Sequence, residues 1–147
     1  MEIKIKVKKL KENANIPVFA TDCSAGADLC SAEDKTVEIA PGETVLIGTG
    51  IAVQIPDGLA GFVFARSGLS LKKGLAPANK VGVIDSDYRG EIKVSLYNQS
   101  GEKQAVMPRE RIAQMVVLPY IKPVYEESSE LDSTERGQGG FGSTGKF

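Results

Sequence analysis

Asp85 directly follows the β-branched pair Val83-Ile84 and opens the polar run Asp85-Ser86-Asp87-Tyr88-Arg89-Gly90-Glu91. A carboxylate at the mouth of such a turn is expected in a partly dehydrated position, where it can orient and deprotonate water. An Asx-turn role is the alternative, favoured for Asp87 more than for Asp85. The chain contains no histidine, which removes Ser-His and Cys-His nucleophile pairs, His-ligated zinc and an imidazole base. Any base is therefore Asp, Glu, Lys or Tyr. Tyr88 offers either hairpin packing or a flat wall for a sugar ring.

Three further clusters carry chemistry. Arg66-Ser67-Gly68 follows Phe62-Val63-Phe64 and brings together a guanidinium, a hydroxyl and an unobstructed backbone amide. That trio suits a phosphate, or else a helix capped by Ser67 with a solvated Arg. Asp28, among small residues in Ala25-Gly26-Ala27-Asp28-Leu29, is either a turn-stabilising acid or a carboxylate that holds Mg²⁺ directly or through water. Arg136-Gly137-Gln138-Gly139-Gly140-Phe141-Gly142-Ser143-Thr144-Gly145 is dense in glycine yet carries one Arg, one aromatic ring and two hydroxyls. Glycine amides can form an anion-binding concavity beside such an Arg, whereas a plain flexible tail needs neither Arg136 nor Phe141. Cys23 and Cys30 have no second pair to make a zinc site or disulfide framework, and both are expected to be buried free thiols.

The elements that must position these groups are short strands. Glu2 to Lys8 and Glu91 to Tyr97 alternate apolar and polar residues, as half-buried strands do. Further β-rich runs cover Thr36 to Ile39, Thr44 to Ile47, Ile51 to Ile55, Gly61 to Phe64 and Arg111 to Leu118. Turn residues such as Pro41-Gly42, Pro56-Asp57-Gly58, Ser100-Gly101 and Pro108 separate them. Gly82 to Ile84 is expected to turn through the polar run and return along Ile92 to Leu96 as a β-hairpin. Regular short strands indicate a sandwich, barrel or jelly roll, with one helical turn or two around Gly68 to Lys73. Composition changes after Val124: Glu126 to Glu135 has five acids and only Leu131 apolar, a linker unable to fold alone. The expected division is a β domain over 1–125 and a flexible linker with a Gly-rich tail over 126–147.

At 147 residues the chain suits one domain with a real core. Its 18 Lys+Arg against 19 Asp+Glu leave a net charge of −1, with no basic excess for a nucleic-acid backbone. No apolar run approaches the ~20 residues of a membrane span, and Met1 to Leu10 lacks the features of a secretory signal. A soluble cytoplasmic protein is expected, nuclear being the alternative in a eukaryotic or viral setting.

Five segments in order resemble the motifs of the trimeric deoxyuridine triphosphatase (dUTPase) family. They are Ala25-Gly26-Ala27-Asp28-Leu29, Arg66-Ser67-Gly68-Leu69, Gly82-Val83-Ile84-Asp85 through Asp87-Tyr88-Arg89-Gly90, Arg111-Ile112-Ala113-Gln114, and the glycine-dense tail. Ala65, Ser70 and Gln138 depart from the usual pattern without removing a reacting group. The resemblance implies an all-β, β-clip or jelly-roll-like distorted barrel, assembled as a homotrimer whose sites draw on all three chains. It implies hydrolysis of dUTP to dUMP and pyrophosphate with Mg²⁺, supplying dUMP for dTMP synthesis and limiting uracil in DNA.

Carried over residue by residue, Asp85 activates the water and contacts the 3′-hydroxyl, and Gln114 helps position water and phosphate. Asp28 holds the metal through its water shell; Ser67 and Gly68 contact phosphate oxygens, Arg66 adds charge, and Arg111 is structural. Asn79, Gly82, Val83, Ile84 and Lys93 frame the pyrimidine, with Tyr88 beneath the sugar. Arg136 grips the γ-phosphate, Phe141 stacks on uracil, and Gly142, Ser143 and Thr144 close over the phosphates. Extended, 126–147 spans up to about 70 Å, enough to reach a neighbouring subunit as a lid. Two rivals are a dCTP deaminase on the same scaffold and a non-catalytic nucleotide-binding module. The Tyr88 segment and the tail argue against the first, and the presence of Asp85 against the second.

Overall fold

The computed structural model describes residues 3–141. Twelve strands and one short helix make up its regular structure: β1 (Lys6–Lys9), β2 (Val18–Phe19), β3 (Ala27–Cys30), β4 (Val37–Ile39), β5 (Thr44–Gly48), β6 (Ile51–Gln54), β7 (Leu59–Phe64), α1 (Ser67–Lys73), β8 (Leu75–Pro77), β9 (Gly82–Ile84), β10 (Lys93–Asn98), β11 (Gln104–Val106) and β12 (Arg111–Pro119). All the ladders are antiparallel. A five-stranded sheet, β2-β3-β12-β7-β9, a three-stranded sheet, β5-β10-β8, and two short ladders, β1-β6 and β11-β4, all contribute side chains to one core. This is the distorted jelly-roll-like β barrel expected, with a single helix.

The alternation read in the sequence decides which side chains go inside. In β10, Val94, Leu96 and Asn98 are buried while Lys93 is exposed; the core continues through Leu29, Ile39, Ile47, Ile51, Leu75, Ile92 and Ile112. Asn98 is admitted because its amide is saturated: Nδ2 donates to the carbonyls of Ile39 and Glu102, and Oδ1 accepts from Ser100. Each buried aliphatic side chain of this core removes apolar area from water, worth roughly 25 cal/mol per Å².

Several strands were not legible as such. β2, β8 and β11 are two or three residues long, too short for a period to register. The Asp28 segment is a buried strand, β3, rather than a turn. Among the described residues no helix is long and apolar enough to cross a membrane. Beyond β12, residues 121–141 form no strand, and their hydrogen bonds are local, such as Ser128 to Glu130 and Gly137 to Thr134.

Candidate active site

The expected hairpin is the main correction. β9 pairs with β7, with Val83 opposite Phe62, while β10 pairs with β5 and β8 in the other sheet. The two segments therefore diverge after the polar run instead of closing on each other, and the space between them is a cavity of about 420 Å³. β9 is the outermost strand of its sheet, so one of its edges offers backbone N–H and C=O groups to that cavity without a strand partner. A closed hairpin would have filled the space with its own ladder.

Asn79, Gly82, Val83, Ile84, Asp85, Tyr88 and Lys93 all line this cavity, over a floor that includes Val63, Ile92 and Val94. Asp85 stands at its mouth, exposed in the single chain rather than partly dehydrated as expected. Any dehydration there must come from a ligand or another chain. Tyr88 is fixed across the polar run: its backbone N–H donates to the Asp85 carbonyl at 3.2 Å, and its hydroxyl donates to the Glu91 carbonyl at 3.0 Å. The ring lies so close to Gly90 that a Cβ there would collide with it.

A second cleft lies on the opposite face of β7. Alternation along that strand sends Val63 into the first cavity and Phe64 into the second. Asp28, Gln114 and Phe64 stand directly opposite one another across β3, β12 and β7, and Arg66, two residues beyond Phe64, falls on the same face. Its Nε donates to Asp28 Oδ1 at 2.7 Å, while Arg111 Nη1 donates to Oδ2 at 3.1 Å. A bulge between Arg111 and Ala113 breaks the β12–β3 register beside this contact. Arg111 is thus half of the clamp that neutralises Asp28, a role the sequence reading did not give it. The signal was available: two Arg residues at strand ends and one acid in an apolar strand.

Gln114 is held by its own donation, Nε2 to the Ala65 carbonyl at 2.9 Å, and its Oε1 lies where a side chain on Gly26 would stand, 2.5 Å from a Cβ built there. Ser67 is the first residue of α1 and Arg66 its N-cap, with no side-chain capping bond. The capping role considered for Ser67 is not taken, and Ser67 and Gly68 line the cleft beside Arg66. Arg136 donates from Nε to Gly139 O at 2.8 Å, within the tail, and Phe141 is fully exposed; neither lines the two clefts in the single chain. Gly142, Ser143 and Thr144 lie outside the described residues.

The donor set bears on a metal. Among the described residues no three Asp, Glu, His or Cys side chains converge, and both oxygens of Asp28 already accept a guanidinium N–H. Direct chelation by the protein does not fit. A hydrated Mg²⁺ carried on phosphates does, since that ion keeps several waters and needs only one or two carboxylates, and each Asp28 oxygen retains capacity for a water.

Both cysteines are free, but the expectation of burial fails for Cys23, which is exposed; Cys30 is half-buried. Burial pushes the Cys30 thiol up, Asp28 adds to the shift, and the nearby arginines oppose it.

The two clefts share no lining residue. One is edged by backbone groups and apolar side chains with the exposed Asp85 at its mouth, and the other is built around Arg66, Arg111 and Asp28. Comparison with known proteins identifies the family. The dUTPase family model matches residues 12–145. Deoxyuridine 5'-triphosphate nucleotidohydrolase of Nautilia profundicola is 51% identical over 98% of this chain and 100% of its own, and that of Hydrogenobaculum is 49% identical over 97% and 99%. The dUTPase of Staphylococcus bacteriophage 80alpha with dUPNHPP superposes with a TM-score of 0.84 at 32% identity, covering 97% of this chain and 98% of that one. A phage phi11 dUTPase variant described with a structural Mg(II) ion gives a TM-score of 0.78 at 28% identity over 87% and 98%. The chain belongs to the dUTPase family and is a hydrolase of that family.

Proposed function

We propose that this protein hydrolyses dUTP to dUMP and pyrophosphate, and the observation that carries the reading is the backbone-edged cavity between β9 and β10 with Asp85 at its mouth. Unpaired main-chain groups of Gly82–Ile84 meet the edge of uracil; cytosine reverses that hydrogen-bond pattern and would leave buried polar groups unpaired. The narrow space between the diverging strands rejects the thymine methyl. Tyr88, tethered across the polar run, packs beneath the deoxyribose and excludes a 2′-hydroxyl.

In the reaction, Asp85 accepts a proton from water as the water oxygen bonds to the α-phosphorus. The bond from that phosphorus to the bridging oxygen breaks, and pyrophosphate leaves. Gln114 orients water and phosphate, and Ser67, Gly68 and Arg66 contact phosphate oxygens, Arg66 held in place by Asp28. Mg²⁺ on the phosphates would supply charge neutralisation, with Asp28 reaching it through water. Arg136, Phe141, Gly142, Ser143 and Thr144 close over γ-phosphate, base and phosphates as a lid, with the β domain over 1–125 and the linker and lid over 126–147.

Because the two clefts are separate in one chain, one subunit's base cavity is completed by another's arginine cleft in a homotrimer, the assembly typical of the family. Such an enzyme supplies dUMP for dTMP synthesis and limits uracil in DNA from the cytoplasm. The test is pyrophosphate release from dUTP, dTTP, dCTP and UTP, with and without Mg²⁺. Cleavage of dUTP alone, lost with EDTA, is expected. Equal cleavage of UTP contradicts the role of Tyr88, and ammonia from dCTP would transfer the case to a deaminase.

A further inference from the structure

In the sequence Glu91 closes the polar run and opens the alternating strand Glu91 to Tyr97. In the structure its side chain turns inward, 22% exposed, and Oε1 accepts the backbone N–H of Gly50 at 2.8 Å. Oε2 lies 3.6 Å from Lys93 Nζ, and the Glu91 carbonyl receives the Tyr88 hydroxyl. The next residue is pinned to the same tight turn: Thr49 donates to the Ile92 carbonyl from its backbone N–H at 3.2 Å and from Oγ1 at 2.6 Å, and Ile92 N–H donates to Ile51 at 2.9 Å. Room for the carboxylate exists because Gly48 has no side chain; a Cβ there would stand 2.7 Å from Glu91 Oε1.

We propose that Glu91 is a positioning residue for nucleoside discrimination, its carboxylate fastening the returning end of the Asp85–Gly90 run to the Gly48–Gly50 turn so that Tyr88 and Lys93 hold their places in the base cavity. The inference rests on the reading of that cavity as the nucleoside site. The physical reason is that the polar run lacks a ladder of its own. β9 and β10 belong to different sheets, so the orientation of Tyr88 depends on a few side-chain and turn contacts at Glu91–Ile92 rather than on strand pairing. A hydrogen bond from a backbone N–H to an ionised acceptor is among the stronger single contacts available for this purpose.

The test compares Glu91→Ala, Glu91→Gln and Gly48→Ala by steady-state kinetics on dUTP and UTP, and by amide hydrogen exchange over residues 82–91. Glu91→Ala is expected to raise KM for dUTP about tenfold with kcat within about threefold, and to raise the UTP/dUTP ratio of kcat/KM severalfold. Exchange over the segment rises with it. Glu91→Gln keeps an oxygen for Gly50 N–H and retains the parent ratio within about twofold. Gly48→Ala crowds the Glu91 carboxylate most closely, with Glu33 Oε1 a looser second contact at 3.3 Å, and is expected to reproduce the direction of Glu91→Ala, which keeps the test decisive should Glu91→Ala not fold. Parent-like ratio and exchange in Glu91→Ala or Gly48→Ala overturn the proposal, as does an equal loss in Glu91→Gln. A parent enzyme inert toward dUTP sinks the functional reading instead, and the exchange measurement still decides the tether.

Discussion

The two clefts are built on different physical principles. The cavity beside β9 is framed by backbone edges and apolar side chains, and its polar capacity comes from main-chain groups left over where two sheets part. The cleft beside β3 is framed by charge: one acid, 7% exposed, carries two guanidiniums, and an amide side chain packs against a glycine. In the first, an exposed side chain at the mouth such as Asp85 can be exchanged with little cost to the fold because it holds no partner among the described residues, while the floor residues Val63, Ile92 and Val94 belong to the core. In the second, each member exists because its partner does, and removing one leaves a buried or half-buried charge unmatched. Function and stability are therefore separable in one cleft and coupled in the other.

The sharpest way to break this contrast is Asp85→Asn. Its side chain is exposed and has no hydrogen-bond partner among the described residues, so thermal unfolding should stay at the parent value while kcat falls by about 10³, as loss of a positioned base does. A marked drop in melting temperature would show that the base cavity is also held by charge. Truncation after Glu135 is next. The hydrogen bonds of residues 136–141 reach no further than Thr134, so the melting curve should not move, whereas turnover should fall about a hundredfold if the removed segment seals the reacting phosphates. An unaltered rate constant for the shortened chain ends the lid reading.

Asp28→Ala should do the opposite of Asp85→Asn and cost stability first. With Arg66 and Arg111 both unmatched, chemical denaturation is expected to show a loss of about 1.5 kcal/mol, well below that of a charge left fully buried because the two arginine side chains are 24% and 54% exposed. A change below about 0.5 kcal/mol would reduce the cluster to a surface ion pair. The smallest effect concerns the thiols. Cys30 shares the arginine cleft's surroundings, and burial with the neighbouring Asp28 charge holds its thiol above the usual range. Less thiolate is then present at any given pH, so iodoacetamide at pH 8 should label exposed Cys23 well before Cys30. Mass mapping that finds Cys30 first would contradict the packing around Asp28.

Legibility followed the same division. The β-rich runs bounded by turn residues were predictable to within a residue or so, Thr44–Gly48, Ile51–Gln54 and Arg111–Pro119 among them, because β-branched and apolar runs between Gly and Pro turns have few other ways to be buried. The helix at Ser67–Lys73 was also legible, since Gly74 closes it in the left-handed region at φ 63°. The hairpin was not. A strand, a polar turn and a second strand satisfy the local rules for a hairpin, and nothing within that segment records that Phe62 and Leu46, distant in the chain, are the pairing partners of Val83 and Ser95. The clamp on Asp28 was half legible: its residue types were visible, but not their convergence, as the partners lie 38 and 83 residues away.

Residue types and their order along the chain were enough to determine the all-β frame and the groups available for chemistry: carboxylates in place of any histidine, arginines at strand ends, and a tyrosine in the polar run. Those properties are local, set by side-chain pKa, hydrogen-bonding capacity and backbone preference. Only the tertiary structure decided that β9 and β10 part to leave a cavity, that Asp28 spends both oxygens on arginines, and that Glu91 turns inward to a glycine turn. Each of those depends on which distant strands win the pairing competition, a property of the whole sheet's hydrogen bonding and burial that no short segment contains.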